Sequence, residues 1–504
     1  MTAVRSRPGP VYLTVLVIAT CGLVYELVAG TLASYLLGDS VTQFSLVIGV
    51  YLTSLGLGAW LSRLVVKGLA RKFVEIEIAV AFVGGFAAPI LYWAFSLGRW
   101  FQPVFFSVVV IVGTLVGLEI PLMLRILKDA VAFKELVAQV LTFDYLGALV
   151  ASLAFPLVLL PRLGLVRTCL LFGLLNVAVA FASIHLFRDR LGPPGSLLIK
   201  AALVTALLLA GFAGADRLTT LAEEQLYADP VVLARTTPYQ RIVVTQNRAG
   251  FQLFLNGHLQ FSSVDEYRYH EALVHPAMAL VPHARRVAVL GGGDGLAVRE
   301  VLKHPGVASI TLVDLDPAVT DLARRNPLFV KLNGGSLLSP KVTVVNDDAM
   351  TWLEEAKDLF DVMLIDFPDP GTFAVGKLYT SRFYALAARR LDPEGALAVQ
   401  STSPLFARRS FWIIERTIAA AGFTTRPYHT SVPSFGEWGF VLARRVPFEV
   451  PAVLPAGLRS LASGQLQTLF TFSPDMQSPP DVPINRLNDQ VLVHTYEREW
   501  KRFD

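Results

Sequence analysis

Residues 287–316, VAVLGGGDGLAVREVLKHPGVASITLVDLD, constrain the fold more than any other stretch. The apolar run 287–290 has the length of a buried parallel strand. Gly291, Gly292 and Gly293 follow, a turn where backbone can approach a ligand without interference from a Cβ. Residues 296–303 have helical spacing, and 310–313 form a second apolar strand ending at Asp314. Strand, glycine turn, helix, strand and acid are the first half of a nucleoside-binding α/β unit, with the acid placed for ribose hydroxyls. Asp294, inside the turn, would repel a pyrophosphate and welcome a cation, which favours an adenosyl sulfonium over NAD. The plainer alternative is a structural βαβ unit with a chance acid in its turn.

The rest of the chain is too greasy for one soluble domain. Of 504 residues 53% are apolar and only 17% charged, and the apolar excess sits in the first 215. A membrane domain, 1–215, followed by a soluble one is therefore expected. The net charge of +4 does not argue for nucleic acid, because many basic residues lie beside apolar segments, where they set topology. Cys21 and Cys169 both fall in apolar segments, so neither a disulfide framework nor a thiolate metal site is expected.

Seven stretches are long enough to span a bilayer, near 11–34, 42–63, 77–96, 103–124, 139–160, 165–187 and 196–214. The first is too long for a cleavable signal peptide, and another span follows directly. Small residues such as Gly22, Ala29, Gly56 and Gly58 suit close helix packing. Glu26, Glu119 and Asp144 place acids inside the spans. The structural account pairs each with a hydroxyl or with an arginine such as Arg63 or Arg125; the functional account is a cation path or regulatory site. Basic residues concentrate before the first span and at 63–72, 125–134 and 188–190, which puts the N-terminus in the cytoplasm. Seven spans would then leave the C-terminal domain outside.

Residues 216–224 form a polar exit from the apolar half. A linker and small β-rich unit, 216–282, carries strands at 231–234, 241–245 and 252–255, a hairpin turn at Asn256 and Gly257, and a helix starting near Asp265 as its cap. The α/β domain, 283–445, continues with strands at 342–345, 362–365, 396–400 and 440–443. From 446 to 504 the chain turns rich in Pro and Ser and reads as an irregular, partly ordered tail over a site. In such a sheet ligands lie beyond the carboxyl ends of the strands. Acids fall there in turn: Asp294, Asp314, Asp347 with Asp348, then Asp366 and Asp369. Helix capping accounts for one or two of these, but a full set around one crevice calls for a cationic ligand.

The motifs GGGDG, LVDLD, NDDA and DFPDP, with Tyr239 and Gln240, the run 257–260 and DEYRYHE at 265–271, resemble the polyamine aminopropyltransferases, the spermidine synthase family, over roughly 235–445. The apolar half is similar to the multi-pass region of a bacterial subset of that family. The resemblance implies an α-helical multi-pass membrane domain joined to a Rossmann-like methyltransferase-type α/β domain. It also implies transfer of an aminopropyl group from decarboxylated S-adenosylmethionine, a co-substrate, to a diamine such as putrescine, without a metal. Under it Asp366 matches the proton acceptor and Tyr269 an orienting tyrosine. Gln240, Gly291, Gly293, Asp294, Asp314, Asp348 and Ala349 match the donor contacts. Gln260, His270, Asp294, Asp366 and Asp369 match contacts to the amine.

Two departures stand out. Asp369–Pro370 is followed by Gly371–Thr372–Phe373 where relatives continue Gly–Pro, and a late loop that often offers a tyrosine has Phe435, with Glu437 nearby as a polar replacement. The expected partners are a diamine or polyamine, membrane lipid and a second copy of the chain. The expected place is the inner membrane of a bacterial cell, with the catalytic domain cytoplasmic on substrate grounds against the charge pattern. Two other functions compete. A methyltransferase using ordinary S-adenosylmethionine would have to seat a cofactor carboxylate among these acids. A polyamine transporter or sensor would carry an inactive enzyme-like domain, against which Asp366 and Tyr269 stand.

Overall fold

The computed structural model describes residues 9–37, 40–95, 100–128, 133–215, 217 and 227–501, and the chain divides into two compact units, Met1–Val231 and Val232–Asp504. The expected polar exit at 216–224 lies outside the described residues apart from Arg217.

The first unit is helical: α1 (Gly9–Leu37), α2 (Ser40–Leu61), α3 (Leu69–Gly85), α4 (Ala87–Phe95), α5 (Phe101–Leu127), α6 (Phe133–Ala154), α7 (Leu160–Leu186), the short α8 (Arg188–Leu191) and α9 (Gly195–Ala213). Small residues set the closest helix contacts. A Cβ on Gly58 of α2 would lie 2.1 Å from the Thr114 carbonyl oxygen, and one on Gly117 of α5 would lie 2.2 Å from that of Leu55. Among the described residues five helical runs are long and apolar enough to cross a membrane, or up to six if the bent pair α3 and α4 is one span. The sequence reading expects seven. Its fifth and sixth spans fall in one run, Lys134–Leu186, which Gly164 interrupts with φ 69° and ψ −178°. The arginines are also corrected. Arg63 lies over the Trp60 ring, 4.1 Å from its centroid. Arg125 donates to the Ser62 and Val65 carbonyls at 2.6 and 2.8 Å. Arg125 thus caps the open end of a helix, while Arg63 stacks on an indole ring.

The second unit opens with an antiparallel sheet of β1 (Val231–Thr236), β2 (Arg241–Gln246), β3 (Phe251–Leu255) and β4 (His258–Ser262). Asn256 and Gly257, at φ 51° and 83°, make the two-residue turn between β3 and β4. A seven-stranded sheet follows: β5 (Arg286–Gly291), β6 (Ser309–Asp314), β7 (Val342–Asn346), β8 (Phe360–Asp366), β9 (Leu391–Gln400), β10 (Thr424–Val432) and β11 (Gly436–Arg444). Its order is β10-β11-β9-β8-β5-β6-β7, with β11 antiparallel to both neighbours. This is a Rossmann-like, methyltransferase-type sheet. Val287, Ala288, Val289 and Leu290 are fully buried, as a central strand covered on both faces must be. The strand order turns back at β5, which opens a crevice at the carboxyl ends of β5, β6 and β8.

Strand β10 is absent from the sequence reading because it contains Pro427. It lies at the sheet edge, where a missing N–H is tolerated. Asp265 precedes the helix Glu266–Leu280 but does not cap it. Its carboxylate accepts instead from the Ser434 N–H and hydroxyl at 2.7 and 2.9 Å. The Pro-rich end is not irregular throughout. It forms a helix, Val491–Trp500, that buries Leu492 and Val493, and it buries Asn485, which donates to the Gly376 and Tyr379 carbonyls.

Candidate active site

The glycine turn exists because two carboxylates crowd it. Gly291 and Gly292 have φ of 82° and 66°. A Cβ on Gly292 would lie 2.7 Å from Asp366 Oδ2, and one on Gly293 would lie 2.6 Å from Asp314 Oδ2. The Gly293 N–H donates to Asp314 Oδ2 at 2.9 Å, and the Asp316 N–H to Asp314 Oδ1 at 3.0 Å. Burial pushes the Asp314 carboxyl up to about 6, against the pull of those two N–H groups. Asp294 Oδ1 accepts from the Leu296 N–H at 2.8 Å. Burial raises it to about 6 as well, with positive His270 opposing and Asp366 adding to the rise.

Asp366 ends β8 in register with Gly291. The Tyr269 hydroxyl, from the helix Glu266–Leu280, donates to Asp366 Oδ1 at 2.5 Å. Burial raises Asp366 above the usual carboxylate range, while His270 and the Tyr269 hydroxyl oppose the rise. His270 Nδ1 lies 2.9 Å from Glu266 Oε2. Glu266 in turn receives a two-pronged contact from Arg299, at 2.8 and 2.9 Å. Burial works against a charged His270, but the Glu266 hydrogen bond and charge outweigh it and hold the imidazole at about 9. The ring is therefore an imidazolium at neutral pH, facing two acids.

Asp369 receives three donors: Gln400 Nε2 at 3.0 Å, the Thr402 hydroxyl at 3.0 Å and the Tyr496 hydroxyl at 2.7 Å. Burial nevertheless raises it above the ordinary carboxylate range. His258, beside the β3–β4 turn, is the last and least of the groups that oppose this rise. Phe435 stands against Tyr269, ring centroids 6.3 Å apart.

Other predicted residues sit further back. Gln240 Nε2 donates to Asp316 Oδ2 at 3.1 Å, and Gln260 Nε2 donates to the His258 carbonyl at 3.1 Å. Asp348 caps the helix Ala349–Glu355 through the Met350 and Thr351 N–H groups and pairs with Lys377 at 2.6 Å. Burial opposes ionisation there, but Lys377 and the helix N–H groups win and lower its pKa. Ala349 is the buried first residue of that helix.

Glu437 corrects the expectation. Its Oε2 lies 2.8 Å from His429 Nδ1, so the group is already paired. Alternation along β11 explains this. Trp438, Phe440 and Leu442 join the core that holds Tyr269, while Val441 and Ala443, on the parity of Glu437, join the other one.

The sequence reading missed Glu266, Arg299, Gln400, Thr402 and Tyr496. Gln400 was findable, since it ends a recognised strand. Among the described residues no group of three or more His, Cys, Asp or Glu side chains is placed to hold a metal. The arrangement is a cleft of half-buried acids that can attract a cation and accept a proton at Asp366.

Residues 266–447 match the spermine/spermidine synthase domain family. Over 97% of its length the chain is similar to the polyamine aminopropyltransferase of Leptospira interrogans, 54% identical over 98% of that protein. It is 51% identical over 97% of its length to polyamine aminopropyltransferase 2 of Ralstonia nicotianae, covering 97% of that protein. A solved spermidine synthase from Thermotoga maritima is 23% identical, with 53% of this chain and 83% of that chain aligned at a TM-score of 0.39.

Proposed function

The chain belongs to the polyamine aminopropyltransferase family, and on that premise we propose that it moves the aminopropyl group of decarboxylated S-adenosylmethionine onto a diamine such as putrescine, with Asp366 as the proton acceptor. The products are a spermidine-type polyamine and methylthioadenosine. The observation that carries this reading is the Tyr269–Asp366 pair beside Asp294 under the glycine turn.

The nitrogen lone pair of the amine forms the new C–N bond at the carbon next to sulfur. The C–S bond breaks, and its electron pair stays on sulfur as a neutral thioether. Attack needs an amine without its extra proton, although a free diamine carries charge at both ends near pH 7. Asp366, raised by burial, takes that proton while the Tyr269 hydroxyl fixes its orientation. Asp294 offers negative charge to the sulfonium, and Asp314 holds the ribose hydroxyls. Asp369, clamped by its three donors, takes the far ammonium of the acceptor. Acids on every side disfavour ordinary S-adenosylmethionine, whose carboxylate would meet like charge.

The test is mass spectrometry of the full chain in detergent with each sulfonium donor and a panel of diamines. Aminopropylated amine and methylthioadenosine are expected from the decarboxylated donor alone. Methylated product from ordinary S-adenosylmethionine would overturn the reading.

The helical unit is proposed to lie in the membrane. Supporting this, its outward faces expose large apolar side chains such as Trp60, Leu157, Ile199 and Leu203. The catalytic unit is proposed to face the cytoplasm, where its donor is made. Cys21 and Cys169 are wholly buried, so an added thiol can be read alone. Arg325→Cys, at a side chain 81% exposed, should escape a membrane-impermeant maleimide in intact cells and react after lysis. Labelling in intact cells would place the unit outside.

A further inference from the structure

The helical unit holds a second group of acids that the transfer chemistry does not use. Glu77 of α3 and Glu119 of α5 are 0% and 1% exposed, and their carboxyl groups lie within hydrogen-bonding reach of each other. Asn176 of α7, also buried, donates from Nδ2 to Glu77 Oε2 over a long 3.5 Å. Among the described residues, no N–H or hydroxyl donates to Glu77 Oε1 or to either oxygen of Glu119. Asn176 Oδ1 is buried as well and has no partner among the described residues.

This is more than a cluster of acids. The Asn176 amide is anchored on Glu77 by its nitrogen, so its free oxygen belongs to the same group. Four of the basic side chains near the helix ends are engaged elsewhere. Arg125 and Arg190 bind carbonyl oxygens of Ser62, Val65 and Ile126, while Arg71 and Lys72 pair with Glu75.

Each unpartnered atom is an oxygen that can accept. Two facing carboxyls share a proton readily, because both cannot ionise side by side, and a pair holding one proton keeps one negative charge. Helix packing alone would be served better by apolar or amide side chains, and an ionisable group at such a depth is a functional site by default. One negative charge beside acceptor oxygens from three helices suits a single monovalent cation.

We propose that Glu77, Glu119 and Asn176 form a binding site for one monovalent cation, an alkali ion or the primary ammonium end of an amine, within the helical unit. The site lies wholly within the first unit and uses no residue of the aminopropyl-transfer chemistry.

The test is hydrogen exchange on the full chain in detergent, at constant ionic strength with N-methylglucamine chloride as the reference salt. Sodium chloride, potassium chloride and putrescine are titrated in separately. Backbone amides around 77–84, 115–122 and 173–180 should gain protection about tenfold with at least one of them. An alkali response and a putrescine response identify which source supplies the ion. Glu119→Gln and Glu77→Gln should each remove the response, with kcat for aminopropyl transfer unchanged within about twofold. If one variant does not fold, the other serves. Protection that none of the three cations changes, or a response that persists in both variants, would overturn the proposal and leave a doubly protonated acid pair.

Discussion

The hydroxyl of Tyr269 donates to Asp366 Oδ1 at 2.5 Å, joining the helix Glu266–Leu280 to the end of β8 across 97 residues of sequence. One oxygen of the proposed base is thus fixed. Its other oxygen, Oδ2, lies against Gly292, where a Cβ would come within 2.7 Å.

Tyr269→Phe removes that donor and leaves the ring's packing on Phe440. A hydrogen bond to a charged group contributes roughly 1.5 kcal/mol or more. Steady-state kinetics should show kcat down about tenfold, with a smaller change in the KM of the donor. An unchanged kcat would make the hydroxyl a packing feature.

His270 gives a pH signature. Its pKa in the folded chain is about 9, against an ordinary value of about 6.5. The stabilisation from charged His270 on Glu266 is therefore full below about pH 6.5 and lost as pH rises through about 9. The melting temperature of His270→Gln should fall furthest below that of the unaltered chain at pH 6, and the gap should close towards pH 10. A gap constant across that range would mean a neutral imidazole.

Tyr496 comes from the C-terminal helix to donate to Asp369, 127 residues away in sequence, at 2.7 Å. Tyr496→Phe should raise the KM for the amine about tenfold, the scale of one lost bond to a charged acceptor. Methylthioadenosine binding, measured by calorimetry, should not change. Equal loss for amine and nucleoside would mean that the tail supports the whole unit instead.

The parts legible in the sequence are those that local rules determine. A four-residue apolar run before three glycines locates β5, and Asp314 and Asp366 follow because acids at strand ends are visible without knowing the sheet order. Asp348 was legible as an acid but not as the partner of Lys377, which depends on a loop folding back. Glu437 was misplaced because the face of β11 is fixed by pairing with β10, an edge strand disguised by Pro427. Tyr496 and Arg299 carry no local signal, since their partners arrive through tertiary packing. In the helical unit the apolar runs were plain, and the division expected between 139–160 and 165–187 falls at Gly164, the break inside one long helical run.

The central claim is that Asp366 accepts the amine proton within an intact nucleoside site. Asp366→Asn preserves size and removes the base. Single-turnover release of methylthioadenosine, measured beside calorimetric binding of the same nucleoside, tests the claim most directly. Turnover should fall by about 10²–10⁴ while nucleoside affinity stays within a few-fold. Near-normal turnover in Asp366→Asn, with the nucleoside still bound, would contradict the account.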